Sequence, residues 1–326
     1  MIPLGVGVAS AICAGSLAFV YKTKTYSLIK SAIENIVMSS FYVGYKELHP
    51  AIAAQRRLDV LEEYNGRVLE CKNDEACEID AIYIPAQNDL KTGNVLVLCL
   101  NTTYQDHHPS RWEPFLQNGA DILLWNPTKL GTISYSKDLS CILRYLRAQN
   151  RDQQIAIKTY CASSDAGIST LADQKDSKMH LIVDRGHGDV CNLARPFTIL
   201  ANLSIVQTVL TETFDCKGIS KISEITGRIL FLTPDQVDQV MDYGKKGNLT
   251  RDLHVVKSDQ SLITLREQDH WSDWTFTTYN KVLEFLAETG VVSSNFNPVQ
   301  EEKFPSSKPL TCFKKECIPV LTKTCF

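Results

Sequence analysis

Short, mainly apolar runs constrain the fold of this chain more than any other feature of its sequence. The clearest of them span residues 94–100, 121–125, 155–160 and 179–184. Runs of this kind are typical of strands that are buried on both faces of a parallel sheet. Segments with helical spacing of apolar residues separate the runs, for example at 135–149. This alternation predicts an α/β fold with a mostly parallel, doubly wound sheet and helices on both faces.

The regions on either side of these runs predict further elements. Residues 68–71 and 79–84 alternate between apolar and polar side chains, which favours an antiparallel hairpin. Beyond the last run, the end of 222–233 and residues 253–256 are predicted strands, and residues 279–287 are predicted to form a closing helix.

The segment 155–172 passes from a strand-like run through small residues into a helix-like run. Its centre, Ala-Ser-Ser-Asp-Ala-Gly, aligns with the nucleophile elbow Gly-x-Ser-x-Gly-Gly, with Ala162 and Ala166 in place of the first two glycines. A serine on a sharp strand-to-helix turn presents its hydroxyl above the edge of the sheet. Ser164 is therefore the predicted nucleophile.

Cys161 offers a nucleophile in a register shifted by three residues. In that register we expect the cysteine to lie inside the strand rather than at its tip. A buried, unreactive thiol is then the simpler interpretation.

The order of these parts resembles the α/β-hydrolase fold, and in particular its small, nearly lidless serine hydrolases with an N-terminal membrane segment. The resemblance covers about residues 67–290. Leu100-Asn101-Thr102 matches the oxyanion loop of the family, and residues 126–131 match the turn after its next strand. It implies a Ser-His-Asp triad in which the acid follows the penultimate strand and the histidine follows the last strand.

The resemblance assigns the remaining roles residue by residue. His270, in Gln-Asp-His-Trp, matches the general base. Two repeated Asp-Gln-Val triplets leave the acid open between Asp238 and Asp235, with the spacing favouring Asp238. Backbone amides near Asn101, Thr102 and Asp165 would form the oxyanion hole. The implied activity is cleavage of an acyl ester or thioester without a cofactor.

Departures from the family pattern leave a second interpretation open. Leu100, Ala162 and Ala166 stand where the family has glycines, and the charge of Asp165 lies beside the predicted nucleophile. A negative charge near a developing oxyanion opposes catalysis unless it points away. The alternative is a catalytically impaired relative that acts as a membrane-tethered interaction module. A metallohydrolase built on the histidines is less favoured, since their spacing to carboxylates is poor.

The termini complete the predicted organisation. Residues 1–24 are an apolar segment closed by Lys22 and Lys24, which predicts a single-pass membrane anchor with the rest of the chain on the cytoplasmic side. Residues 25–65 are predicted to be a helical membrane-proximal linker, residues 66–290 the α/β-hydrolase domain, and residues 291–326 a polar tail that contains cysteines. The expected substrate is an acyl-containing small molecule, a lipid or an acylated protein. A net charge of −3 gives no reason to expect nucleic acid as a partner.

Overall fold

The structure, a computed structural model, describes a core of the chain and its flanking helices. The described residues are 27, 50–100, 103–106, 109–128, 132–186, 218–234, 260–265, 268 and 273–301. The predicted anchor at 1–24 and the predicted strand at 253–256 lie outside them. Within the described residues, no helix has the length and apolar character needed to cross a membrane.

An eight-stranded sheet forms the centre of the domain, with strands in the order β1-β4-β6-β5-β7-β8-β9-β10. Its strands are β1 (Arg67–Val68), β4 (Ala81–Ile84), β5 (Val95–Cys99), β6 (Asp121–Trp125), β7 (Ile155–Tyr160), β8 (Met179–Asp184), β9 (Ile229–Pro234) and β10 (Gln260–Leu265). The six strands from β5 to β10 run parallel, whereas β4 pairs antiparallel with β6 and β1 antiparallel with β4. A separate hairpin joins β2 (Cys71–Lys72) to β3 (Glu78–Ile79).

Helices cover both faces of this sheet. They are α1 (Pro50–Glu63), α2 (Glu113–Gln117), α3 (Thr132–Gln149), α4 (Ser163–Gln174), α5 (Gly218–Lys221) and α6 (Phe276–Glu288). Apolar side chains of α3 and α4, such as Leu139 and Ile168, share one buried cluster with Val97 of β5. On the opposite face, Phe115 of α2 and Val282 of α6 pack with Leu96 of the same strand. The mostly parallel sheet with helices on both faces confirms the predicted fold class.

Individual elements show where the sequence pattern was informative. The strands predicted at 121–125 and 179–184 are confirmed with the same bounds. The antiparallel pairing of Val68 with Ile82 confirms the predicted hairpin. Beyond residue 290 the chain still packs on the domain, since Val291 and Val292 are buried and the N–H of Val299 donates to Asn280 Oδ1.

Parallel pairing brings the carboxyl ends of the central strands to one edge of the sheet. Cys99 of β5 is level with Thr159 of β7, and Tyr160 of β7 is level with Asp184 of β8. Loops at this edge are where open α/β sheets bind their ligands. The candidate site is therefore built from the ends of β5, β7 and β8.

A buried histidine lies at the opposite edge. His180 Nδ1 accepts the backbone N–H of Arg228 at 3.2 Å, and its Nε2 lies 3.2 Å from Gln154 Oε1. These contacts suit a neutral ring that carries its proton on Nε2. Burial is the main cause that lowers the pKa of His180 from 6.5 to about 4, and Arg228 adds to it.

This lowered pKa predicts a loss of stability in acid. Between pH values of about 6.5 and 4 the unfolded chain binds a proton at His180 that the folded chain does not, so the free energy of unfolding falls as the pH falls. The contribution of His180 by the lower end of this window is about 3 kcal/mol. Urea unfolding at about pH 7 and about pH 4.5 measures it, with His180→Asn as control because asparagine keeps an acceptor for the Arg228 N–H. An equal loss of stability in both proteins would contradict the assignment.

Candidate active site

The sharp strand-to-helix turn lies at Cys161. Strand β7 ends at Tyr160, and Cys161 follows with a φ of +54°, in the left-handed region that residues other than glycine rarely adopt. The N–H of Cys161 donates to the carbonyl of Asp184 at 3.0 Å, and the N–H of Ser164 donates to the carbonyl of Cys161 at 3.1 Å. A strained residue at the tip of a strand, followed by a helix, is the geometry of a nucleophile elbow. The expectation that Cys161 lies inside the strand is therefore wrong, whereas the expected burial of its thiol is confirmed, since the residue is 0% exposed.

Ser164 occupies a different position. It lies in the first turn of α4, it is 0% exposed like Cys161, and its Oγ is 3.3 Å from Thr159 Oγ1. Gly186 closes the space beside it, because a Cβ at Gly186 would come within 2.4 Å of the same Oγ. The hydroxyl thus lies between α4 and the sheet. Nothing in this position supports a role as nucleophile, and that role stays a prediction.

The alignment with the elbow motif shifts by three residues as a result. Ala162 becomes the residue after the elbow residue, the motif position that the sequence assigned to Asp165. Asp165 lies further along α4 and is fully buried.

In the shifted motif, Ser163 stands at the glycine position two residues after the elbow residue. Ser163 Oγ lies 2.7 Å from the carbonyl oxygen of Cys99 and accepts the Tyr160 N–H at 2.9 Å. This side chain joins the ends of β5 and β7 at the elbow. The close approach of helix and strand that glycine usually permits occurs instead at Gly167, where an added Cβ would lie 2.5 Å from Thr159 Cγ2.

The other predicted site residues lie outside the described part of the chain. Asn101 and Thr102 follow β5 by sequence, Asp235 and Asp238 follow β9, and His270 follows β10. This is the chain order that the resemblance implies for an oxyanion loop, an acid and a base. The proposed contacts of these residues are untested.

A cavity of about 40 Å³ opens at the same edge of the sheet. Its walls combine aromatic and aliphatic side chains with five charged ones; the charged residues are Arg111, Lys158, Asp184, Arg185 and Asp273. Tyr160, the residue directly before Cys161, also lines it. The cavity therefore lies beside the elbow.

The inner wall of the cavity is a buried network around Asp184. Trp274 Nε1 donates to Asp184 Oδ2 at 3.0 Å, and Lys158 Nζ lies 3.4 Å from the same oxygen. Lys158 Nζ also lies 4.4 Å from the centre of the Trp274 ring, within range of a cation–π interaction. Burial lowers the pKa of Lys158, Asp184 opposes this shift, and the neighbouring arginines add to it. Burial likewise raises the pKa of Tyr160.

Sequence reasoning missed these charged residues. Lys158 is the lone charge of an otherwise strand-like run, and such a charge is a usable signal because a buried lysine needs a reason. As for metals, the described residues contain no group of three or more His, Cys, Asp or Glu side chains that could hold an ion.

The chain matches no protein-family model and no curated protein. Solved structures do resemble it. An esterase from Pyrococcus furiosus has a TM-score of 0.53 and 12% identity, and covers 71% of this chain and 92% of its own. Dipeptidyl peptidase 4 from Porphyromonas gingivalis has a TM-score of 0.53 and 12% identity over 68% of this chain and 35% of its own. A Staphylococcus aureus protein of unknown function has a TM-score of 0.50 and 12% identity over 69% and 99%. At this identity the similarities show the fold alone, the α/β-hydrolase fold.

Proposed function

We propose that this chain is a hydrolase that cleaves an acyl ester or thioester, with Cys161 as its nucleophile. The observation that carries the proposal is the φ of +54° at Cys161, directly after β7 and before α4. Strain of this kind gathers at active sites, and among the five described non-glycine residues with a positive φ, Cys161 lies between the end of a parallel strand and the start of a helix. The similarity to an esterase fold supports the reaction class.

The chemistry follows from the position of the thiol. The sulfur of Cys161 attacks the acyl carbonyl, its proton passes to His270, and Asp238 or Asp235 orients the imidazole. The N–H of Ala162 stabilises the oxyanion, together with an amide from the loop after β5. His270 then protonates the leaving group, and water hydrolyses the thioester formed on Cys161. Ser164 supports the turn in this account and does not react.

We also propose that the chain is anchored in a membrane. Residues 1–24 anchor the chain, and the apolar character of that segment supports this. Anchoring would place the site beside acyl lipids or acylated proteins. Both kinds of substrate fit an esterase or thioesterase. Lys22 and Lys24, which follow the apolar segment, support a position of the domain on the cytoplasmic side.

Chemical modification tests the nucleophile class. The full chain is assayed with p-nitrophenyl acetate after treatment with iodoacetamide or with a fluorophosphonate. Because the chain has ten other cysteines, peptide mapping must place the inactivating carbamidomethyl group on Cys161, and a Cys77→Ala background removes one partly exposed thiol. We expect iodoacetamide to abolish hydrolysis and the fluorophosphonate to leave it intact, since the latter reacts with activated serines.

Two other results would contradict this proposal. Loss of hydrolysis after the fluorophosphonate, with Ser164 labelled, would restore the serine triad. A folded chain that hydrolyses neither p-nitrophenyl acetate nor an acetyl thioester would favour the interaction module that the sequence left open.

A further inference from the structure

A lysine lies on the inner wall of the cavity, near the end of a buried strand. The side chain of Lys158 is 12% exposed and lines the cavity, whereas the neighbouring residues Ile157 and Thr159 are fully buried. Lysine is rarely buried unless its charge is paired, because removing the ammonium group from water is costly. The pairing of this amine therefore decides what it can do.

The contact with Asp184 does not by itself account for a lysine at this position. Lys158 Nζ lies 3.4 Å from Asp184 Oδ2, which is longer than the distance of about 2.8 Å in a charge-assisted hydrogen bond. The indole N–H of Trp274 donates to the same oxygen at 3.0 Å, so the lysine shares its carboxylate oxygen with a second donor. A buried ion pair also gains little over well-packed apolar side chains, since desolvation offsets the attraction.

The surroundings of Lys158 favour its neutral, nucleophilic form. Burial lowers the pKa of the amine, Asp184 opposes this shift, and Arg111 and Arg185 add to the lowering. Lysines that are desolvated or lie beside other cations are the ones that form imines with carbonyl compounds in proteins. Because the side chain lines the cavity, a small molecule in the cavity meets this amine directly.

The cavity itself selects the kind of carbonyl compound. Its volume is about 40 Å³. One water takes up about 15 Å³ by the same measure, so the space corresponds to about three waters. Leu98, Trp112 and Tyr279 contribute apolar walls. A short aliphatic aldehyde fits this size and polarity, whereas a fused aromatic aldehyde is too large.

We propose that Lys158 binds short aliphatic aldehydes reversibly, as an imine between its Nζ and the carbonyl carbon. The ammonium group first gives a proton to Asp184, and the free amine then attacks the carbonyl carbon. The new C–N bond forms as the C=O π bond breaks, and the oxygen takes a proton from the nitrogen. Asp184 returns its proton to this hydroxyl, which leaves as water, so that the product is a protonated imine.

The charges of the inner wall are the same before and after this step. Lys158 starts as a cation and ends as a cation beside the Asp184 carboxylate, so no buried charge is left without its partner. Trp274 also accommodates both forms, because the centre of its ring lies 4.4 Å from Nζ, within range of a cation–π interaction. The inference requires no ester hydrolysis and does not rest on the proposed function.

Reductive trapping of the full chain tests the imine. The chain is treated with propanal and sodium cyanoborohydride, which converts an imine into a stable N-propyl amine, and the modified peptides are quantified by mass spectrometry. We expect Lys158 to react at least about ten-fold faster than Lys178, the factor that one pKa unit gives in free amine. Lys178 is the matched control, because it too pairs with an aspartate, Asp152, but its side chain is 40% exposed.

Two further arms show whether the cavity causes the difference. In guanidinium chloride, which unfolds the chain, the two lysines should react equally fast, since the cavity is gone. With 1-naphthaldehyde in place of propanal, the folded chain should be modified at Lys178 and not at Lys158. Neither arm needs a variant, so a substitution that fails to fold cannot obscure the result.

The outcomes separate this inference from the proposed hydrolase. A folded chain in which Lys158 reacts no faster than Lys178, an advantage that persists in guanidinium chloride, or rapid modification of Lys158 by 1-naphthaldehyde would overturn the aldehyde site. Trapping at Lys158 in a chain that hydrolyses no ester would contradict the hydrolase and leave the aldehyde site standing. Ester hydrolysis without preferential trapping would do the reverse.

Discussion

Cys161→Ala is expected to lower kcat for ester hydrolysis by about 1,000-fold or more, whereas Ser164→Ala should keep kcat within about three-fold. The first substitution removes the only proposed nucleophile, and the neighbouring Ser163 hydroxyl is engaged by the Cys99 carbonyl and the Tyr160 N–H. The second removes a hydroxyl that lies in the first turn of α4, three residues beyond Cys161, and faces Thr159 of the sheet. Steady-state kinetics with p-nitrophenyl acetate measure both effects.

A matched control excludes a general effect of losing a buried thiol. Cys99→Ala removes the fully buried thiol at the end of β5, whose pKa burial raises to about 12, so that it stays protonated. It should keep its kcat if the chain folds. A large loss of kcat in Ser164→Ala, with Cys161→Ala still active, would reverse the assignment of the two residues.

Gly227→Ala is expected to lower the free energy of unfolding by about 3 kcal/mol or more. A Cβ at Gly227 would lie 1.7 Å from the carbonyl oxygen of Met179, at the amino end of β8. Because the obstacle is backbone in the centre of the sheet, no side-chain rotation relieves the contact. Urea unfolding of the two proteins gives the difference.

Gly93→Ala provides the control for this prediction. Gly93 has a φ of +73° and no heavy atom within 4 Å of an added Cβ, so alanine there meets only the conformational strain of the left-handed region. We expect this variant to lose about 1 to 2 kcal/mol. Equal losses at the two positions would show that the contact with Met179 relaxes freely.

The fold was predictable from sequence where burial was complete. Strands β6 and β8 pack between helices on both faces, so every one of their residues is buried and the apolar run coincides with the strand. Strand β10 pairs only with β9 among the described strands, and its residue Leu262 is 57% exposed. Without two apolar faces it lacked the pattern by which the other strands were recognised.

The position of the elbow was not predictable for a related reason. Glycines usually mark such a turn, but here Thr159, Ser163 and Ala162 take the positions around Cys161. Cysteine is compatible with a buried strand, so the sequence gives no sign that β7 ends at Tyr160. The turn at Cys161 includes a contact with a neighbouring strand, the donation of its N–H to the Asp184 carbonyl, which local sequence does not encode.

The charged cavity depends on tertiary structure in the same way. Lys158 and Asp184 lie on neighbouring parallel strands, but Trp274 and Asp273 come from a segment far along the chain, just before α6. Separate strand predictions could place the first two at one sheet edge. The meeting of these four residues beside the elbow follows only from the assembled domain.

The most direct test of the central claim is the identity of the residue that carries the acyl group. The full chain is mixed with p-nitrophenyl acetate, quenched in acid within the first turnover and digested for peptide sequencing by mass spectrometry. The account predicts an acetyl group on Cys161 that neutral hydroxylamine removes, as expected for a thioester. An acetyl group on Ser164 that resists hydroxylamine, or an unmodified peptide while ester is consumed, would contradict it.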